Sequence, residues 1–175
     1  VVDFGSGGGI DCFVASQIVG KEGQVIGVDM TQEMYDLAND NKAKIGAENV
    51  EFRLAQIDET GIESNSVDVI ISNCVIVLAP DKDAVFREAV RILRSGGRMH
   101  ISDVMLRSIL PTNVVADMDN WTQCIAGAEL LDNYINMMVD AGFSSVEIVS
   151  DKPFKAEGDE GRVDSVRSIN ILAVK

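Results

Sequence analysis

The chain has 175 residues, 46% hydrophobic and 25% charged, enough for one globular domain with a packed core. Its 15 basic and 28 acidic residues give a net charge of −13, which argues against nucleic acid or an anionic membrane surface as a partner. No apolar run is long enough to span a membrane and no signal-peptide pattern is seen; three cysteines are too few and odd for a disulfide scaffold, so a cytoplasmic protein with reduced thiols is expected.

The chain opens on an apolar strand already in progress, Val1 to Phe4, which implies a missing segment before it. Glycines follow, then a helix over 10–19. Residues 23–30, "GQVIGVDM", read as the second strand. Thr31 is placed to cap a helix running to about Ile45, with Met34, Leu37, Ala38 and Ile45 on one face. "NVEFRLA" (49–55) is the third strand. "SVDVIISN" (66–73) is the fourth, apolar enough for the middle of a parallel sheet.

Asp81 is expected to cap the next helix, where Val85, Phe86, Ala89, Val90 and Leu93 recur at helical spacing. Ser95-Gly96-Gly97 should stop it through a left-handed glycine. "RMHISDV" (98–104) is the fifth strand, with His100 expected in the core. A helix is expected near Trp121, which itself should pack rather than bind. Another helix should run from a cap at Asp132 to Gly142. Strands over 145–150 and 168–175 end the chain, separated by a charged loop expected to be mobile.

This βαβ order predicts a single Rossmann-like α/β domain over 1–175, with a mostly parallel seven-stranded sheet and an antiparallel hairpin at one edge. Ligands in such sheets bind at the carboxyl ends of the strands. Residues 104–140 are expected to cover that edge as a substrate-covering insertion.

"DFGSGGG" (3–9) lies between a strand and a helix, where glycines permit a tight turn and close approach to a ligand. The dinucleotide fingerprint G-x-G-x-x-G fails from Gly5, because position 10 is Ile, and from Gly7, because position 12 is Cys. D-x-G-x-G-x-G fits at Asp3, Gly5, Gly7 and Gly9. That pattern resembles the first motif of class I methyltransferases that use S-adenosylmethionine. This ligand carries an ammonium and a sulfonium and no phosphate, so an acid at a strand end suits it. Asp29 ends the second strand, where a carboxylate can accept both ribose hydroxyls. Met30 is expected on the adenine face, with Gln56 and Ile57 beside it and the Gln56 amide meeting the adenine amino group. Asn73 is expected at the cofactor as well, helping to order the fourth-strand edge.

The cysteines are the remaining candidates. Cys12 lies near the start of the first helix, Cys74 where the fourth strand ends, and Cys124 in "WTQCIAGA". A helix N-terminus lowers a thiol's pKa, so Cys12 is expected to be the better thiolate. Any one of them alone reads as a small core residue; three meeting at one cleft would suit a soft, thiophilic ion. Structural zinc is the rival, weakened by the lack of a C-x-x-C pair.

"GIDCFVAS", "VIGVDMTQEM", "NVEFRLAQID", the run from "ISNCVIVLAPDK" to "HISDV", and "CIAGA" together resemble the arsenite methyltransferases. The resemblance covers 1 to about 150. It implies methyl transfer from S-adenosylmethionine to trivalent arsenic, with arsenite or its thiol adducts as substrate and Cys12, Cys74 and Cys124 as thiolate ligands. It also implies a thiol reductant such as thioredoxin or glutathione. Two readings compete: a methyltransferase for another small molecule with structural cysteines, and a non-catalytic metalloid-binding protein. Asp103 is left open between facing the cleft and capping the next segment.

Overall fold

A computed structural model describes residues 1–109, 127–154 and 165–175. The expected helix near Trp121 and the expected mobile loop lie outside the described residues, as does Cys124.

Seven strands form one sheet in the order β3-β2-β1-β4-β5-β7-β6: β1 Val2–Phe4, β2 Val25–Asp29, β3 Val50–Leu54, β4 Val67–Asn73, β5 Leu93–Leu106, β6 Ser145–Pro153 and β7 Val166–Val174. β1 to β5 run parallel, and β7 is antiparallel to both β5 and β6. This is the expected architecture. The order of the first strands runs outward from β1 in both directions, to β2 on one side and β4 on the other, so the carboxyl end of β1 is the switch point where a crevice opens.

Two layers cover the sheet. α1 (Ile10–Val19) and α2 (Gln32–Ile45) enclose a cluster of Cys12, Val25, Ala38, Val50 and Phe52. α3 (Lys82–Ile92) and a helix at Leu131–Ala141, here α4, close the larger core, in which Phe86 stacks edge-on against Tyr134 at 5.1 Å. α4 overlaps the end of the 104–140 span expected to cover the sheet edge. Its buried residues, Leu131, Tyr134 and Met138, make it part of the core layer.

Local chemistry explains most boundaries and corrects several. Asp81 caps α3 as expected, accepting from the Ala84 amide at 2.8 Å. Thr31 occupies the N-cap position of α2 without capping it; its hydroxyl donates instead to Asp29 Oδ1 at 2.9 Å. α3 ends at Ile92, before the Ser95-Gly96-Gly97 stop. Leu93 already pairs with Val67, so the left-handed Gly96 (φ 75°) bends the start of β5 rather than closing the helix. α4 starts at Leu131, ahead of the expected Asp132 cap, and the Glu129 carboxylate accepts from the Leu130 amide there.

On α2 only Ala38 is fully buried, while Met34, Leu37 and Ile45 stay exposed. The helix is too polar elsewhere to sink its whole apolar face. His100 is exposed, not a core residue. β5 turns Met99 and Ile101 into the main core, and strand alternation sends His100 to the opposite face.

Candidate functional site

β1 ends in a loop that folds back on itself. Gly5 and Ser6 both donate to the Val28 carbonyl, at 2.8 and 3.0 Å, which pins the loop against the end of β2. Gly5 sits at φ 73° with Val75 so close that an added Cβ would lie 2.2 Å from Val75 Cγ2. Only glycine fits between that side chain and the turn. Gly9, at φ 91°, begins α1 where a Cβ would meet Phe52 at 2.6 Å, so its role is helix-to-sheet packing.

Asp29, at the end of β2, organises this edge. Its Oδ2 accepts from the Gly7 amide at 2.9 Å, and its Oδ1 accepts from the Thr31 amide and hydroxyl at 3.0 and 2.9 Å. The carboxylate is thereby fixed in orientation, with acceptor capacity left over.

Beside it lies a cavity of about 270 Å³, lined by Gly5, Asp29, Met30, Thr31, Met34, Gln56, Ile57, Asp58, Val75, Leu78, Ala79, Pro80 and Val85. Five residues expected at the cofactor are there: Gly5, Asp29, Met30, Gln56 and Ile57. Four are not among its lining: Asp3, Gly7, Gly9 and Asn73. Asn73 pairs with Ser102 in the sheet and is exposed. Asp58 and the wall from Val75 to Pro80 were missed by sequence reasoning. Asp58 stands only two residues past Gln56, so its carboxylate was in view. The wall had no signal, because its members are plain apolar residues brought in by tertiary folding. The lining suits a cationic nucleoside: two carboxylates and an amide among apolar surfaces, with no basic side chain, and a glycine where any side chain would intrude.

Asp3 is 2% exposed and accepts from the Cys12 thiol at 3.3 Å. Burial pushes its carboxyl up to about 7, against the lowering effect of the Cys12 hydrogen bond. Cys12 is fully buried between α1 and the sheet, its Sγ only 2.8 Å from where a Cβ on Gly27 would stand. Its pKa is not lowered by the helix N-terminus. Burial raises it strongly, and the negative charge of Asp3 raises it further. The expectation that Cys12 is the better thiolate is therefore overturned, because desolvation outweighs the helix dipole.

Cys74 is the opposite case. It is exposed, follows β4 directly, and adopts a left-handed backbone at φ 54°. Its amide donates to the Ser102 carbonyl at 2.8 Å. The chain then turns through a short 3₁₀ segment, Ile76–Leu78, into the cavity wall. The structure thus places one cysteine in a sealed layer and one on the open edge. Among the described residues, no cluster of three or more His, Cys, Asp or Glu side chains is placed to hold a metal ion.

Asp103 lies under the wall, 1% exposed. Its Oδ2 accepts from the Val77 amide at 2.9 Å and from the Tyr134 hydroxyl at 3.3 Å, and its Oδ1 accepts from the Val104 amide at 3.1 Å. Burial pushes this carboxyl up to about 7, opposed by those hydrogen bonds and by the charge of Lys82. Asp103 thus neither faces the cleft nor caps the next segment.

A family model described as a methyltransferase domain matches residues 1–142. The arsenite methyltransferase of Halobacterium salinarum is 52% identical over 148 residues, 85% of this chain and 38% of the relative. That of Mus musculus is 36% identical over 169 residues, 91% of this chain and 45% of the relative. The crystal structure of CrArsM, an arsenic(III) S-adenosylmethionine methyltransferase from Chlamydomonas reinhardtii, is 33% identical, with a TM-score of 0.89 over 99% of this chain and 62% of that one. The chain spans less than half the length of these two curated relatives.

Proposed function

The chain belongs to the methyltransferase domain family, and from that premise we propose that it transfers a methyl group from S-adenosylmethionine to trivalent arsenic held by cysteine thiolate. The cofactor, when bound, supplies an electrophilic methyl on a sulfonium. Asp29 would orient the ribose through its free acceptor capacity, the Gln56 amide and the Asp58 carboxylate would meet the adenine edge, the latter only as an acceptor, and Met30 and Ile57 would pack on its faces. The chain's main contribution is positioning within a cleft screened from water. Arsenic(III) keeps a lone pair and loses no proton on methylation, so this chemistry requires no general base.

The observation that carries this reading is the place of Cys74. Its exposed thiol immediately precedes Val75, the side chain that closes on Gly5 and lines the cavity. The proposed substrate ligand and a residue of the cavity wall are thus adjacent in one segment. Cys124 is proposed as the second thiolate, with a third ligand from a solution thiol, and a thiol reductant such as thioredoxin or glutathione completing the cycle in the cytoplasm.

One observation favours a second reading, in which the cysteines are structural and the acceptor is another small molecule: Cys12 is sealed in the core. The test incubates the full-length protein with arsenite, glutathione and S-adenosylmethionine and separates the arsenic species formed. Methylarsenicals that disappear in Cys74→Ser and Cys124→Ser, with cofactor binding retained, support the proposal. Methylation undiminished in the double variant overturns the ligand assignment. No methylarsenical from the wild-type protein overturns the substrate.

A further inference from the structure

The segment from Cys74 to Pro80 has to present a thiol on one side and shape a cofactor cavity on the other, yet it has little regular structure of its own. Only one short 3₁₀ turn interrupts it, and its first residue sits in a left-handed conformation that a non-glycine residue adopts at a cost of ~1–2 kcal/mol. Something outside the segment has to hold it.

Two adjacent residues of β5 do so. The Ser102 carbonyl receives the Cys74 amide, and the Asp103 side chain receives the Val77 amide. The first contact is a backbone group fixed by the sheet. The second comes from a buried side chain, where a lost hydrogen bond is costly. Val77 is itself buried, so without Asp103 its amide would be left with no acceptor at a cost of ~1–3 kcal/mol. On the far side, the Tyr134 hydroxyl reaches Asp103 from α4 and fixes the carboxylate's orientation. Lys82, at the start of α3, approaches from the third side while its Nζ donates to the Ala79 carbonyl, a second residue of the cavity wall.

We propose that Asp103 is a positioning residue that clamps the Cys74–Pro80 segment, fixing the cofactor cavity's wall and the presentation of the Cys74 thiol together. The clamp links β5, α3 and α4 to the reacting edge, so the packing of the core sets the geometry of the cleft. Its role for the thiol rests on the arsenic reading above; its role for the cavity does not.

The test compares Asp103→Ala, Asp103→Asn and Tyr134→Phe in the full-length protein. Two quantities are measured besides thermal stability: the Kd for S-adenosylhomocysteine by calorimetry, and the rate of Cys74 alkylation by iodoacetamide without cofactor. Asp103→Ala is expected to weaken cofactor binding at least tenfold and to speed Cys74 alkylation at least threefold. Asp103→Asn, which keeps an acceptor for the Val77 amide, should restore most of both. Tyr134→Phe should shift both in the same direction by about twofold. A purely structural role would lower the melting temperature and leave both readouts of the folded protein unchanged, and that result overturns the proposal. If Asp103→Ala does not fold, wild-type values for both readouts in Tyr134→Phe overturn it equally. Neither readout requires arsenic to be the acceptor, so a failure of the arsenic reading is seen separately, in the products of the methylation assay.

Discussion

Replacing Gly5 with alanine tests the closest contact at the site. The substitution places a Cβ 2.2 and 2.5 Å from the two methyls of Val75 and 2.8 Å from its Cβ. Those distances are far inside van der Waals contact, so Val75 or the glycine loop has to shift. The left-handed φ of 73° adds ~1–2 kcal/mol for a non-glycine residue. Overpacking a site of this kind costs ~1–3 kcal/mol. Together these predict a loss of about 2–5 kcal/mol in urea denaturation. Gly7→Ala is the control. It carries a similar strain at φ 50°, but a Cβ there meets nothing within 4 Å, so it should lose only ~1–2 kcal/mol. Adding Val75→Ala to Gly5→Ala removes both methyls and leaves the contact at 2.8 Å, which should recover part of the overpacking cost, seen as a coupling of ~0.5–3 kcal/mol in the double-mutant cycle. Because Val75 also lines the cavity, Gly5→Ala should weaken S-adenosylhomocysteine binding more than Gly7→Ala does. Equal destabilisation by the two alanines, with no coupling to Val75, would refute the close-approach account of the loop.

Asp29→Asn should weaken cofactor affinity by about 10–100-fold in calorimetry, since a charged acceptor contributes ~1.5–3 kcal/mol. In the folded protein, iodoacetamide should label Cys74 and leave Cys12 unmodified until denaturant is added, as peptide mass mapping will show. Asp3 and Asp103 both have carboxyl pKa values raised to about 7, so the native state holds protons that the unfolded chain releases near pH 4. Stability should therefore fall as pH rises from about 4 to about 7 and level off above it. The groups facing Asp3 are Cys12, Asp11 and Asp29, and those facing Asp103 are Lys82 and Tyr134; Asp3→Asn and Asp103→Asn should each flatten the slope in denaturation midpoints measured across that range. Asp81→Ala removes the acceptor for the Ala84 amide at the start of α3 and should cost about 1 kcal/mol by thermal denaturation.

The strand and helix order, the glycine turn after β1 and the carboxylate ending β2 were all legible in the sequence. Each is a local property: apolar periodicity, a turn residue's dihedral freedom, or a side chain's place at the end of its own element. Gly5, Asp29, Met30, Gln56 and Ile57, named from the glycine motif and its resemblance to the methyltransferases, share one cavity because a strand end and the loop after it carry their residues to the same edge. The motif also named Asp3, Gly7 and Gly9 as ligand contacts, where the fold uses them for an internal hydrogen bond, an amide to Asp29 and a packing contact.

What the sequence left undecided is the fate of each side chain once distant segments close over it. Cys12 looked activated because its helix position is local, but the layer that buries it is built by β2, β3 and α2, and that burial outweighs the dipole. His100 and Met99 are neighbours in one strand, yet which of them enters the core depended on which face α3 and α4 cover. Asp103 was ambiguous for the same cause, since its partners Val77 and Tyr134 lie 26 residues before it and 31 after it. Periodicity along the chain fixes which elements form and how their residues alternate; burial, and with it the charge and accessibility of every candidate group, is set by what packs across from them.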